Sequence, residues 1–161
     1  MSRRVSRRAL LGTSLGAAAS MALAPPTLGA DYTSADEALA AIEGLEADVE
    51  RFLLRLERTV VSSRPLVASF RRDRDRHRGH RARVRRRLGL PSSDTAAASE
   101  APDVALQALR EAQSALVYAH AEALPALGDA VSVSLLLEDM VDLARHLTII
   151  DLWIESEAAR G

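Results

Sequence analysis

The chain contains no cysteine. Disulfides, thiolate metal ligands, thiol nucleophiles and a lipid-modified cysteine anchor are therefore excluded. Lysine is absent too: all 21 basic residues are arginine, a bias of the kind a GC-rich genome imposes. Aromatic residues make up only 3% of the chain, too few for a base-stacking surface. With an acidic balance outside one segment, this argues against a nucleic-acid partner. There is no Gly-rich phosphate loop and no His-Glu-x-x-His helix, so no nucleotide cofactor is expected. The uncharged apolar run from Ala9 to Ala24 is short of the roughly 20 residues a comfortable membrane span needs.

What is present is unevenly charged. The net charge is −1 over 161 residues. Arg3, Arg4, Arg7 and Arg8 account for all the charge in the first 30 residues, which leaves 17 arginines against 22 acids in the rest. Ten of those arginines lie between Arg71 and Arg87, with only Asp73 and Asp75 among them. A basic helix in an acidic protein pairs with its own acidic neighbours, faces water, or meets an anion.

Residues 1–30 resemble a twin-arginine export signal. Ser6-Arg7-Arg8-Ala9-Leu10-Leu11 supplies the paired arginines and the start of the apolar run, and Pro25-Pro26 close it. The lysine frequent near the end of that motif is missing; Gly12 and Thr13 stand there. Small residues at Leu28-Gly29-Ala30 predict cleavage after Ala30 and a mature start at Asp31. The resemblance implies engagement with the twin-arginine translocase and a periplasmic or extracellular destination. It also implies transport in the folded state, a route often used by proteins already loaded with a cofactor. An ordinary secretory signal or a retained anchor are the alternatives.

Residues 31–161 are of single-domain length. Ser34-Ala35-Asp36-Glu37 reads as a capping box. Ala38, Ile42, Leu45, Val49, Phe52, Leu56 and Val60 then recur at spacings of three and four, which predicts a helix over about 34–62. Ser63 as cap and Pro65 in the first turn predict a second helix over about 65–88. Gly89, Pro91 and the small polar residues up to Pro102 form a linker over 89–102. A third helix is expected over about 103–127, with its stripe on Leu106, Leu109, Leu116, Leu124 and Leu127. A fourth is expected over about 131–157, on Leu136, Leu143, Leu147, Ile150 and Ile154, with Trp153 beside it as packing. No segment alternates with period two. The fold class is all-α: an antiparallel up-down four-helix bundle.

Polar residues occupy places where apolar ones belong. At 100° per residue, Leu66, Phe70, Asp73, His77, His80, Val84 and Leu88 fall on one line of the second helix. All ten arginines fall off its centre, so the arginine run is expected to be the solvated face. Gln113 and His120 share the line of Leu109, Leu116 and Leu127. Asp139 and His146 lie at the edge of the fourth stripe, and Asp142 just outside it. With directions alternating from helix to helix, Asp73, His120 and Asp139 come to one level and His77, Gln113 and His146 to another. From the first helix, Glu57 is nearest the first level and Glu50 the second. Burying such groups costs several kcal/mol unless they are paired or hold a metal. His–Asp hydrogen bonds, a bound ion, or a bundle splayed open to water are the three solutions.

An antiparallel four-helix bundle with inward carboxylates and imidazoles resembles the ferritin-like superfamily. That family's di-iron pattern takes one Glu from each of two helices and Glu-x-x-His from each of the other two. The nearest matches here are Asp73-Arg74-Asp75-Arg76-His77 and Asp142-Leu143-Ala144-Arg145-His146. Both carry Asp for Glu and a spacing of four for three. Glu111 and Glu122 point away from the third stripe, leaving Gln113 and His120 in the single-Glu place. The resemblance covers residues 34–157 as architecture and implies an exported bundle, including a degenerate one without a working di-iron centre.

Two functions follow. In one, Asp73, His77, His120, Asp139 and His146, completed by Glu50 or Glu57, hold iron, manganese or zinc. In the other, the chain is a metal-free binding module. There, arginines such as Arg83, Arg85 and Arg86 meet an acidic protein or an anionic lipid surface, or copies of the chain associate. The sequence names no reaction.

Overall fold

The structure, a computed structural model, describes residues 32–60, 63–93 and 106–159. The leader, its cleavage site and most of the linker lie outside the described residues. Within them the chain is all-helical: α1 (Ala35–Thr59), α2 (Arg64–Arg87), α3 (Leu106–Ala123) and α4 (Ala130–Ala158), with a 3-10 turn at Leu124–Ala126 leading into α4. The expected helices are all present. None of the described helices is long and apolar enough to cross a membrane.

Local chemistry sets the ends. Ser34 Oγ accepts from the Glu37 amide at 3.2 Å, as a capping box requires. The Glu37 carboxylate instead takes the amide and hydroxyl of Thr33, at 2.9 and 2.7 Å. Ser63 departs from expectation: it makes no side-chain cap bond, and its hydroxyl donates back to the α1 carbonyls of Leu56 and Val60. Pro65 alone starts the first turn of α2. Asp129 caps α4, accepting from the amides of Val131 and Ser132 at 3.1 Å each. Gly128 before it has φ +71°, the left-handed region that glycine tolerates.

α1 and α4 each pack against both α2 and α3. The pairs α1/α4 and α2/α3 therefore lie across the diagonals. Cross-helix bonds give the directions. Along α2 and α4 they join Arg87 to Asp129, His80 to Asp139, and Asp73 to His146. As α2 numbers fall, α4 numbers rise, so the two run in opposite directions. Strict alternation along the chain would make them parallel. α3 and α4 are antiparallel across their short turn, with Arg110 meeting Asp151 at the far end. The consecutive helices α2 and α3 consequently run the same way.

The core is built from Leu39, Ile42, Leu53, Leu109, Leu116, Leu136, Leu143 and Ile150, all almost fully buried. On α1 Ala38, Ile42, Val49 and Leu56 of the expected stripe are buried, but the buried face is rotated from the line of that stripe. Leu39, Glu46 and Leu53 are buried, while Leu45 and Phe52 sit at the margin and Val60 is exposed. That rotation turns a row of carboxylates toward α2.

A polar layer between the helices as the candidate functional site

Two polar seams flank α2. On the α1 side, Arg81 is 3% exposed and grips Glu46, itself 4% exposed, with both terminal nitrogens. Arg74 donates to the Glu46 carbonyl and faces Glu50 at 3.5 Å. Arg85 binds Glu43 through two nitrogens at 3.0 Å each and Asp36 at 2.6 Å. Arg71 reaches Glu50 and Glu57, each at 3.0 Å. The arginine run is thus not one solvated face. Arg74, Arg81 and Arg85 are buried, and the run is split among water, α1 and the α4 side, where Arg76 meets Asp142 and Arg87 meets Asp129. Buried guanidinium groups are tolerated because α1 supplies a bidentate or charge-matched carboxylate for each. Burial pushes the Arg74 pKa down against the opposing pull of Glu46 and Glu50; the hydrogen bonds it donates to Glu43 hold Arg85 up.

On the α4 side, the two pentapeptides that open with Asp and close with Arg-His meet in opposite directions. His146 Nε2 donates to Asp73 Oδ2 at 2.9 Å, and His77 Nε2 faces Asp142 Oδ2 at 3.4 Å. Each imidazole therefore takes the other segment's carboxylate. The preceding arginines behave in the same way. Arg76 Nη2 contacts Asp73 Oδ1 at 3.0 Å and also Asp142 Oδ2. Arg145 Nη2 contacts Asp73 Oδ2 at 2.6 Å and Asp142 Oδ1 at 3.2 Å. A single nitrogen of each guanidinium spans both carboxylates. The result is a local pseudo-two-fold cluster of two Asp, two His and two Arg.

The electrostatics of this cluster close. Burial lowers the His77 pKa to about 4 and also lowers that of His146, so both rings are neutral at pH 7. Burial raises Asp73 and Asp142, but the hydrogen bond from His146 to Asp73, and those from Arg76 and His77 to Asp142, outweigh it. Both carboxyls end below their usual value. Two carboxylates then balance two guanidinium groups. The His146 ring also stacks on Phe70, centroids 4.0 Å apart.

One level further along, Asp139 is fully buried; its Oδ1 accepts from His80 Nδ1 at 2.7 Å. Burial drives its pKa up to about 6 against the pull of His80. His77 Nε2 stands 3.8 Å from the same oxygen. His120 is fully buried and its Nδ1 donates to its own helix at the Leu116 carbonyl, 2.8 Å away. Burial lowers its pKa to about 3. His77 Nδ1, His120 Nε2 and Asp139 Oδ2 are buried without a hydrogen-bond partner. Gln113 donates to the Leu143 carbonyl at 3.2 Å.

The candidate ligand set is therefore divided. Asp73 joins His146, His77 joins Asp142, Asp139 joins His80, His120 serves its own helix, and Glu50 and Glu57 serve arginines. Among the described residues no three His, Asp or Glu side chains come together closely enough to hold one ion. The antiparallel run of α2 and α4 accounts for the regrouping: it sets Asp73 opposite His146 and His77 opposite Asp139, the reverse of what strict alternation gives. Asp142, His80, Arg76 and Arg145 join the layer although the ligand set omits them. The Asp-x-x-Arg-His signature shared by residues 73–77 and 142–146 carries that signal in the sequence. Searches against protein-family models, curated proteins and solved structures give no match for this chain.

Proposed function

We propose that this chain is an exported bundle of ferritin-like arrangement that works as a metal-free binding module for an acidic partner. The direction of the helices supports the first part, since two antiparallel pairs, α1/α2 and α3/α4, with α2 and α3 running the same way, is the order of directions in ferritin-like bundles. The observation that carries the second part is the division of labour among the α2 arginines. Arg74, Arg81 and Arg85 are buried among α1 carboxylates. Arg72, Arg83 and Arg86 are exposed, and their side chains make no ion pair among the described residues. They recur near one line of the helix, at steps of 11 and 3. A basic stripe left over after internal pairing is the surface on which an acidic protein or anionic headgroup would settle. Arg85, one of the three arginines expected to meet such a partner, belongs instead to the internal set.

Protein exported by its native route should carry no stoichiometric iron, manganese or zinc by elemental analysis. It should bind vesicles or beads bearing dense carboxylate or phosphate groups at low salt and release them at high salt. The variant R72E/R83E/R86E should lose that binding with its helicity unchanged. Equal binding by the variant, or none by the parent, would overturn this reading.

One observation favours metal as a second reading. His77 and His120 each have one nitrogen engaged by a carboxylate or carbonyl and the other bare and buried, which is how metal-bound imidazoles are held. Asp139 Oδ2 is bare nearby. Stoichiometric metal that disappears in His120→Ala would favour this reading over the first.

A further inference from the structure

We infer that the outward face of α4 is a self-association surface, on which a second copy of this chain docks its own α4 in the antiparallel sense. α4 is apolar on two sides. Its inner side buries Leu135, Leu136, Leu143 and Ile150. Six large apolar side chains are exposed among the described residues, and four of them stand on α4: Val131 at 46%, Leu137 at 44%, Val141 at 71% and Leu152 at 60%. A helix that fronts water on one side carries polar residues there, whereas apolar residues on both sides belong to a helix covered on both. α2 and α3 flank α4 and leave this side open.

The order of residues along that face selects the occupant. Leu137, Val141, Ala144 and Thr148 are exposed at steps of four, three and four, an uncharged row with the spacing of a helix–helix seam. Beside it Val131, Glu138, Arg145 and Leu152 are exposed at steps of seven, in the order apolar, acidic, basic, apolar. Laid on its own reverse, this second row sets Glu138 against Arg145 of the second copy and Val131 against Leu152. Close to the same register Leu137 faces Thr148 and Val141 faces Ala144, a larger side chain against a smaller one each time. A parallel copy would set Glu138 on Glu138 and Arg145 on Arg145. Glu138 makes no ion pair among the described residues. Arg145 meets Asp73 and Asp142 through Nη2, with its side chain 55% exposed. Two such charge pairs about a two-fold axis near Val141 favour an identical partner, because an isologous contact needs a surface complementary to itself. The rows extend over about 30 Å of helix, a contact at the small end of specific interfaces.

The test is sedimentation equilibrium of the full chain at about 100 μM, with helicity followed by circular dichroism. The parent is expected to be a dimer. Val141→Glu puts a charge on the outward row without touching the core and should weaken association about 100-fold. Glu138→Arg should weaken it about 10-fold; it alters no ion pair within the subunit, so it serves if Val141→Glu lowers helicity. Because the chain has no cysteine, Val141→Cys provides the sole thiol. Lying near the axis, it should be captured by a short thiol-to-thiol cross-linker, whereas Ala82→Cys, exposed on α2, should not. A monomeric parent overturns the inference. So does a folded charge variant that dimerises like the parent, which would mean contact through another surface. Either result leaves the arginine-stripe reading standing, since that binding is read on Arg72, Arg83 and Arg86.

Discussion

The Asp73 carboxylate on α2 lies 2.9 Å from Nε2 of His146 on α4, and that imidazole is stacked on Phe70 of α2. The bond ties the two helices at mid-length and fixes the ring for packing. Asp73→Asn keeps the shape but removes the charge that His146, Arg76 and Arg145 share. Hydrogen bonds to a charged group contribute about 1.5–3 kcal/mol, so the variant should lose about 2 kcal/mol in urea unfolding at pH 7. A loss near zero would mean that the cluster is solvated.

Glu46 and Arg81 form a deeper pair on the opposite side of α2. Removing one member leaves the other charged in the interior, which costs about 3–5 kcal/mol. Glu46→Gln should therefore be among the most destabilising single changes in the chain. Replacing both, as E46L/R81M, should recover most of the loss, because a buried ion pair gains little over apolar packing of similar volume. Denaturation midpoints of the three proteins check this; a double variant as weak as E46Q would show that the pair itself stabilises the bundle.

Helix number and extent were legible because α1, α3 and α4 carry apolar residues at helical spacing and because Ser34, Pro65, Gly89 and Gly128 mark their ends. The inward turn of Asp73, His77, Gln113, His120, Asp139 and His146 was legible for the same reason, and all six are buried. Which of them meet was not. Periodicity says which way a side chain faces on its own helix and nothing about which helix lies beside it. The neighbour relation of α2 and α4 therefore had to come from coordinates. Glu46, Arg74, Arg81 and Arg85 escaped for another reason. Hydropathy assigns every charge to water, whereas here burial is shared between oppositely charged groups on two helices.

Asp129 combines two roles at the start of α4. One of its oxygens accepts from two first-turn amides and from Arg87. Loss of an N-cap carboxylate costs about 1 kcal/mol, and the Arg87 contact adds little because that side chain is 44% exposed. Asp129→Ala should lower stability by about 1 kcal/mol in thermal or urea unfolding. A change beyond about 2 kcal/mol would show that the turn at Gly128 unfolds with the cap.

The export reading makes its own prediction. Arg7→Lys with Arg8→Lys keeps charge and hydrophobicity but removes the paired guanidinium groups. Precursor should then accumulate in the cytoplasm, while the parent chain appears outside it beginning at Asp31. Fractionation with N-terminal mass analysis reads both. Unimpaired export of the double variant would point to the general secretory route.

The histidines set the response to acid. His77 at about 4, His120 at about 3 and His146 lie below the ordinary imidazole value in the fold because burial opposes their charge. As pH falls below about 6.5, the unfolded chain takes up protons that the folded chain refuses, and stability drops through the folded values. Asp139 works the other way. Burial raises it to about 6, so its contribution is complete below the unfolded carboxyl value and is lost as pH rises through 6. Three imidazoles outweigh one carboxyl, so the urea midpoint should fall steadily from pH 7 to pH 4. Below that, Asp73 and Asp142, both lowered, add to the loss. His120→Leu removes one of the three without touching the Asp73 cluster and should flatten the slope between pH 7 and pH 4. An unchanged slope would mean that His120 is protonated in the fold, with its Nε2 reaching an acceptor.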